Sequence, residues 1–385
     1  MSSGSSSEKP QLFSGFSALI LILAASSIYM VGGYVQHALF ILFGLLYGYA
    51  IYRSRLCFAT ALYGNTELFK GILISLLIAS LASYAVIKAG LNTPPSMPVG
   101  PHILIGSILF GMTMPFAGGC MTGTLFRFGG GQAKSLFTLI GLLVGNLIGA
   151  GFVWRYVEPF VDMGRGISPF AIVGPELSLA LNLALITPLL LVLSPGITLR
   201  FRGRSGSAQP LSSLVSAPAT LARLLKESYW PAWLGGAVMA IVFTAQFALY
   251  ASLTIQVPLA RAVLWLTSPI LPSQENPWVA RFGLREPYND PTLLLVMAFA
   301  AGAVVASTSS KTFACFAGGR PIDYAVGFLA GVAMGVSVWI AVGCNVSGFW
   351  ASVATLRPEG WLYAAGMFVG ARIGLKMLEK LAGMR

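Results

Sequence analysis

The sequence predicts an all-α membrane protein, with about ten transmembrane helices plus short re-entrant half-helices in two internally repeated halves. Three observations predict it. The 385 residues are 56% hydrophobic and only 9% charged, against about 25% charged in soluble domains, so much of the outer surface must meet lipid. Apolar runs of membrane-crossing length recur along the chain. Similar cysteine and glycine patterns occur in both halves.

The apolar runs lie at 12–33, 36–52, 69–90, 101–117, 134–156, 176–195, 230–253, 291–308, 322–342 and 358–379. The stretch 12–33 lacks a small-residue cleavage site and reads as a retained span, not a signal peptide. Runs 36–52 and 101–117 are short for a full crossing of about 30 Å. Such helices are tolerated at membrane depth where they pack on protein or line a cavity. The divisions that follow are an N-terminal tail and extra span (1–35), a first repeat half with a following span (36–195), a basic linker (196–229), a span with an outward-facing loop (230–290) and a second repeat half (291–385). The net charge of +12 is concentrated in the linker (Arg200, Arg202, Arg204, Arg223, Lys226) and at the C-terminus (Arg372, Lys376, Lys380, Arg385). Basic loops of this kind mark the cytoplasmic side and make nucleic acid an unneeded explanation. Counting spans from the linker puts both termini in the cytoplasm. Loop 254–290, with Pro258, Pro269, Pro272 and Pro277, then faces outward and reads as a surface loop with one short helix.

The internal repeat centres on the four cysteines. Cys57-Phe58-Ala59 returns as Cys315-Phe316-Ala317, each with a basic residue four positions earlier, Arg53 and Lys311. Gly119-Cys120 returns as Gly343-Cys344, with Gly111 and Gly335 each nine residues before the cysteine. A ladder of Gly141, Gly145 and Gly149 returns as Gly366, Gly370 and Gly374, which allows close helix packing. Span 69–90 has no counterpart in this alignment. It makes one cysteine pair parallel and the other inverted.

Pro115-Phe116-Ala117-Gly118-Gly119-Cys120 predicts a helix that stops and restarts at the cysteine, leaving free N–H groups that attract anions. Gly343-Cys344-Asn345-Val346-Ser347 has the same character, with Asn345 and Ser347 as added donors. A neutral thiol is a weak, soft donor, poorly matched to sulfate oxygens and better matched to an anion bearing terminal sulfur. The candidate substrate-binding residues are therefore Cys57, Cys120, Cys344, Cys315, Gly119, Gly343, Asn345, Arg53 and Lys311. Arg127 follows the Cys120 segment, where it serves an anion's departure or snorkels to the interface. Gln246 is an isolated polar residue inside a span. With two histidines and no zinc-type cysteine spacing, no metal or other cofactor is expected. The chain has no GxxxxGK[ST] loop for ATP.

Arg53-Ser54-Arg55-Leu56-Cys57-Phe58, Phe116-Ala117-Gly118-Gly119-Cys120-Met121-Thr122-Gly123 and Val342-Gly343-Cys344-Asn345-Val346-Ser347-Gly348 resemble the signature segments of the YeeE/YedE family of bacterial inner-membrane proteins. The resemblance covers about residues 36–160 and 290–380. It implies thiosulfate uptake along a relay of Cys57, Cys120 and Cys344, with short half-helices meeting in the bilayer. Cys315 transfers less directly. The resemblance also implies a small TusA-like sulfur-carrier partner in the cytoplasm, and through some relatives a selenium compound as the alternative substrate. A membrane sulfurtransferase that forms a persulfide on Cys57 or Cys315 is the alternative from the enzyme class; a transporter that is not an enzyme is the leading expectation.

Overall fold

The computed structural model describes residues 8–95, 99–163, 169–193, 229–270, 276–316 and 318–383, and within these every regular element is helical. The first half comprises α1 (Glu8–Val31), α2 (Val35–Ser54), the short α3 (Phe58–Leu62), α4 (Thr66–Lys88), α5 (Pro101–Ala117), the short α6 (Met121–Gly129) and α7 (Ala133–Ile148). A π-helical stretch, Gly149–Val153, leads into α8 (Trp154–Met163), and α9 spans Pro169–Leu193. Then follow α10 (Ala232–Leu249), α11 (Gln256–Thr267), α12 (Pro277–Phe282), α13 (Pro291–Ser309) and α14 (Pro321–Ala341). A second π-helical stretch, Asn345–Trp350, continues into α15 (Ala351–Ala354), and α16 (Glu359–Gly383) closes the chain.

Among the described residues, eight helical segments are long and apolar enough to cross a membrane. They correspond to eight of the ten expected runs. The other two are helical but different in kind: α1 has a shorter apolar part, Ser17–Val31, and α16 carries Arg372, Lys376, Glu379 and Lys380 along its length. The two short runs continue beyond their breaks, the first through α3 and the second through α6. The linker 196–229 lies, but for its last residue, outside the described residues.

Glycines set the helix pairs. Gly366, Gly370 and Gly374 of α16 face Leu104, Ile108 and Met112 of α5, so these two helices run parallel. Gly141 and Gly145 of α7 face Phe328 and Val332 of α14, again in parallel. Contacts this close between backbones form only where no Cβ intervenes. The two pairs are built alike. A Cβ on Gly111 would meet the Met367 carbonyl oxygen, Gly370 C and Ala371 N; one on Gly335 would meet the Leu142 carbonyl oxygen, Gly145 C and Asn146 N. Gly111 and Gly335 are 224 positions apart. The same step carries Gly71, whose carbonyl faces Gly236, to Leu295, whose carbonyl faces Gly44. In packing terms α4 answers to α13 and α5 to α14. Gly106, near the start of α5, lies against Ala341 at the end of α14, so those two run in opposite directions.

This corrects the expected pairing of Cys57 with Cys315. Their helices, α2 and α13, lie side by side in parallel, with Gly44 against Leu295 and Gly48 against Phe299. Span 69–90, which had no partner in the sequence alignment, is α4, and its packing counterpart is α13. The loop 254–290 also differs from expectation. Instead of one short helix it holds α11, α12 and a 3-10 turn at Pro287–Asn289. The loop is anchored, since Trp278 is fully buried against Trp339 and Arg261 bonds both the Phe282 carbonyl and Asp290. Gln246 is partnered too: it accepts from the Tyr47 hydroxyl at 3.0 Å and donates to the Ala251 carbonyl at 3.1 Å.

Candidate functional site

Three cysteines sit at the same kind of break. Each follows a long helix closed by a left-handed residue two positions earlier: Arg55 (φ 51°) before Cys57, Gly118 (φ 80°) before Cys120 and Val342 (φ 55°) before Cys344. Each cysteine is extended and serves as the N-cap of the next short helix. Gly118 takes a left-handed φ without strain, but a β-branched Val there is an outlier. Such strain persists only where the surroundings impose it, often at ligand sites. Pro115, which withholds an N–H from the last turn of α5, helps end that helix on the first side of the break.

At the first break Cys120 Sγ accepts from Gly123 N at 3.4 Å and lies 3.3 Å from Thr122 Oγ1. The Cys57 and Cys120 thiols lie close together. They converge over Gly123, where a Cβ would come within 2.9 Å of Cys57 Sγ. Arg127, two turns further along α6, folds back so that Nη2 stands 4.0 Å from Cys57 Sγ and the guanidinium covers Gly119. One cation thus faces the Cys57 thiol.

At the second break the Ser347 hydroxyl accepts from Cys344 N at 3.1 Å and lies 3.6 Å from Cys344 Sγ. It donates to Gln256 Oε1, the shorter contact at 2.9 Å. The breaks are joined by Asn345 Nδ2, which donates to Thr122 Oγ1 at 3.0 Å. A continuous series of polar groups therefore runs Cys57, Cys120, Thr122, Asn345. It ends beside Cys344, Ser347 and Gln256. Three further buried polar atoms on these segments, Asn345 Oδ1, Thr124 Oγ1 and the Tyr63 hydroxyl, have no hydrogen-bond partner. Buried polar groups left unpaired cost about 1–3 kcal/mol each, so their clustering suits a site completed by a ligand.

Of the residues singled out in the sequence, Cys57, Cys120, Cys344, Gly119, Gly343 and Asn345 belong to this region. All three thiols are buried. Gly343 keeps its backbone beside Gly348, and its carbonyl accepts from the Tyr363 hydroxyl at 3.1 Å. Cys315, Lys311 and Arg53 are not brought there. Cys315 is exposed, and its backbone N lies close to Gly131 at the end of α6. Lys311 is exposed at the end of α13. Arg53 lies over the rings of Tyr49 and Trp230, 5.7 Å from each centroid, where the aromatic faces favour its charge. The structure adds Thr122 and Gln256, and it brings Arg127, already noted in the sequence, beside Cys57. Thr122 sits inside a motif already quoted, whereas Gln256 gives no signal, since it reaches Ser347 only through tertiary packing.

A direct check on this burial is thiol labelling. A membrane-impermeant maleimide is expected to modify Cys315 in the native protein. Cys57, Cys120 and Cys344 should react only after denaturation, as read by mass spectrometry. Equal labelling of all four would contradict the geometry.

The family model described as sulphur transport matches residues 53–373. Over 124 residues the chain is 33% identical to a protein of Escherichia coli (strain K12) named "Probable transporter YedE", covering 31% of this chain and 30% of that one. The chain thus spans about three-tenths of the length of the YedE relatives it matches, the Salmonella typhimurium protein included. A longer and weaker match, 22% identical over 342 residues, covers 85% of this chain and 90% of the thiosulfate transporter TsuA of Escherichia coli (strain K12). The TsuA of Spirochaeta thermophila is 23% identical over 347 residues, covering 86% of this chain and 95% of its own.

Proposed function

The chain belongs to the sulphur transport family, and from that premise we propose that it carries thiosulfate or a closely related sulfur-bearing anion inward across the bacterial inner membrane. The path runs along Cys344, Cys120 and Cys57 at the interface of two inverted halves, with both termini in the cytoplasm. The observation that carries this reading is the joining of three buried thiols through the Thr122–Asn345 hydrogen bond, with Arg127 beside Cys57. Thiols meet a large, polarizable terminal sulfur better than hydroxyls would. The guanidinium supplies the positive charge that a dianion needs at membrane depth, where an isolated charge is costly. Helix N-termini at Cys120 and Cys344 add donors and a favourable dipole.

A liposome assay with labelled thiosulfate tests the reading. Purified protein alone is expected to support uptake, with unlabelled thiosulfate competing far better than sulfate. No flux, or equal competition by sulfate, would overturn it. The competing enzymatic reading, a persulfide held on Cys57, draws on the same guanidinium, because a nearby cation favours a thiolate. It requires a lasting mass increase on Cys57 after exposure to substrate, which transport does not.

Arg127 carries a further prediction. Two unit charges about 4 Å apart attract by about 4 kcal/mol at an effective dielectric near 20. Solvation in the unbound state takes back much of that. Arg127→Gln is therefore expected to raise the KM for thiosulfate about tenfold or more, and Arg127→Lys to restore part of the loss. An unchanged KM in Arg127→Gln would remove the residue from the path.

Uptake of a dianion against a negative interior is opposed by about 2.3 kcal/mol per charge for each 100 mV, roughly 2,000-fold in concentration for two charges. Inward transport by this route needs a compensating cation.

A further inference from the structure

A second polar cluster lies beside the Cys344 break, and the transport path makes no use of it. A cavity of about 20 Å³ is lined by His102, Val342, Gly348, Ser352, Glu359 and Tyr363, among others. That is room for a single water molecule. Val342 is the strained residue that precedes Cys344, and Gly348 follows the cap, so the cavity touches the break itself. Glu359 and His102 are 7% and 5% exposed. Glu359 Oε1 faces Arg357 Nη1 at 3.6 Å, but Oε2 has no hydrogen-bond partner, and neither does His102 Nδ1. Two side chains that line one water-sized space therefore each carry a buried proton-accepting atom without a partner.

The groups around Glu359 are few. Arg357 precedes it by two residues and is itself held by Ser352 Oγ at 2.7 Å and Thr355 Oγ1 at 3.3 Å. His102 comes from α5, Tyr363 from the next turn of α16, and Cys344 from the adjoining break. Ser352 Oγ also donates to the Ser347 carbonyl at 2.8 Å, which ties the cluster mechanically to the hydroxyl beside Cys344. Arg357 offsets one negative charge but carries no exchangeable proton of use, since guanidinium stays protonated. Glu359 and His102 each exchange one.

We infer that the cavity between Glu359 and His102 is a proton-binding site, and that two protons taken up there accompany each dianion past Cys344, making transport electroneutral symport. This rests on the transport reading above. A carboxyl and an imidazole together accept two protons, which matches the two charges of the anion and answers the opposing potential. The coupling follows from position: the anion enters at a break whose strained residue and following glycine form the walls of the proton site.

The test uses the purified full chain in liposomes, with labelled thiosulfate outside and a pH dye in the lumen. Two protons moving down a gradient of one pH unit support about a hundredfold accumulation. Wild-type protein is expected to accumulate thiosulfate when the bath is made more acidic than the lumen, and to acidify the lumen as it does so. A membrane potential set with potassium and valinomycin should leave the rate within about twofold. Glu359→Gln is expected to bring the ratio of gradient-driven uptake to thiosulfate exchange down to about one, and His102→Gln to lower it several-fold. If Glu359→Gln fails to insert because Arg357 is left unpaired, the wild-type lumenal pH and the His102→Gln ratio decide. Flux that ignores the pH gradient, or that acidifies nothing, overturns proton coupling while transport stands. Absence of flux under every condition overturns the transport reading and this one together.

Discussion

Cys120→Ala and Cys344→Ala are each expected to cut thiosulfate uptake by about tenfold to a hundredfold, with membrane insertion retained. Hydrogen bonds to charged groups contribute about 1.5–3 kcal/mol, and the thiol is the group lost on both sides of the Thr122–Asn345 link. Alanine alone is an ambiguous probe. Cys120 Sγ also caps α6 by accepting from Gly123 N, and loss of an N-cap costs about 0.5–2 kcal/mol of stability. Serine separates the two roles. Its hydroxyl is a better cap than a thiol, so Cys120→Ser should match or exceed the parent in thermal stability while uptake remains low. A further comparison is Cys315→Ser, which alters an exposed residue and should leave uptake unchanged. If Cys120→Ser and Cys344→Ser take up thiosulfate at the parental rate in liposomes, the thiols are caps and the soft-donor argument fails.

The serine test also bears on why cysteine occupies these positions. Ser, Thr, Asp and Asn are the usual N-caps. A thiol is a poor substitute at three helix starts, each two residues after a left-handed residue. Local propensity argues against cysteine at all three. Where local preference is set aside repeatedly in one region, function is the expected reason.

The breadth of the fold was legible in the sequence because lipid imposes long apolar runs, and those runs survive as helices. The break at Cys120 was legible too, since Pro115, Gly118 and Gly119 each disfavour a continuing helix. The equivalent break at Cys57 carried no such mark. Its left-handed residue is Arg55, a side chain that seldom adopts that region, so only the tertiary setting reveals it. The repeat was half legible. Gly111 and Gly335 mark two helices with the same packing contacts, because close backbone contact permits no side chain. Cys57 and Cys315 misled, because Cys-Phe-Ala is too short to mark equivalence and nothing in packing constrains it. Arg127 was visible as a charge near the motif. Its return over Gly119 was not, since a flexible side chain's direction is set by what surrounds it.

The same close contacts make the second large effect. Gly335→Ala and Gly111→Ala are expected to lower the melting temperature by similar amounts, about 1–4 °C, and the corresponding leucine variants should fail to fold. At Gly335 a Cβ would stand 2.6 Å from the Leu142 carbonyl oxygen and 2.8 Å from Asn146 N and Gly145 C. All three are backbone atoms of α7, so no side chain can turn aside; the helices must part. Overpacking of this kind typically costs about 1–3 kcal/mol, and with an unfolding entropy of about 2.1 cal/mol/K per residue each kcal/mol lowers Tm by about 1.2 °C in a chain of 385 residues. Gly111 meets the equivalent three atoms of α16, which is why the two variants should match. Gly151 supplies the control, because a Cβ there would meet only side-chain carbons at 3.8 and 4.0 Å. Gly151→Ala should leave the melting temperature within about half a degree, the small range usual for substitutions away from tight packing. Should Gly335→Ala prove as mild as Gly151→Ala in thermal unfolding, α7 and α14 are not in backbone contact. The frame that holds Cys344 opposite Cys120 would then have to be drawn differently.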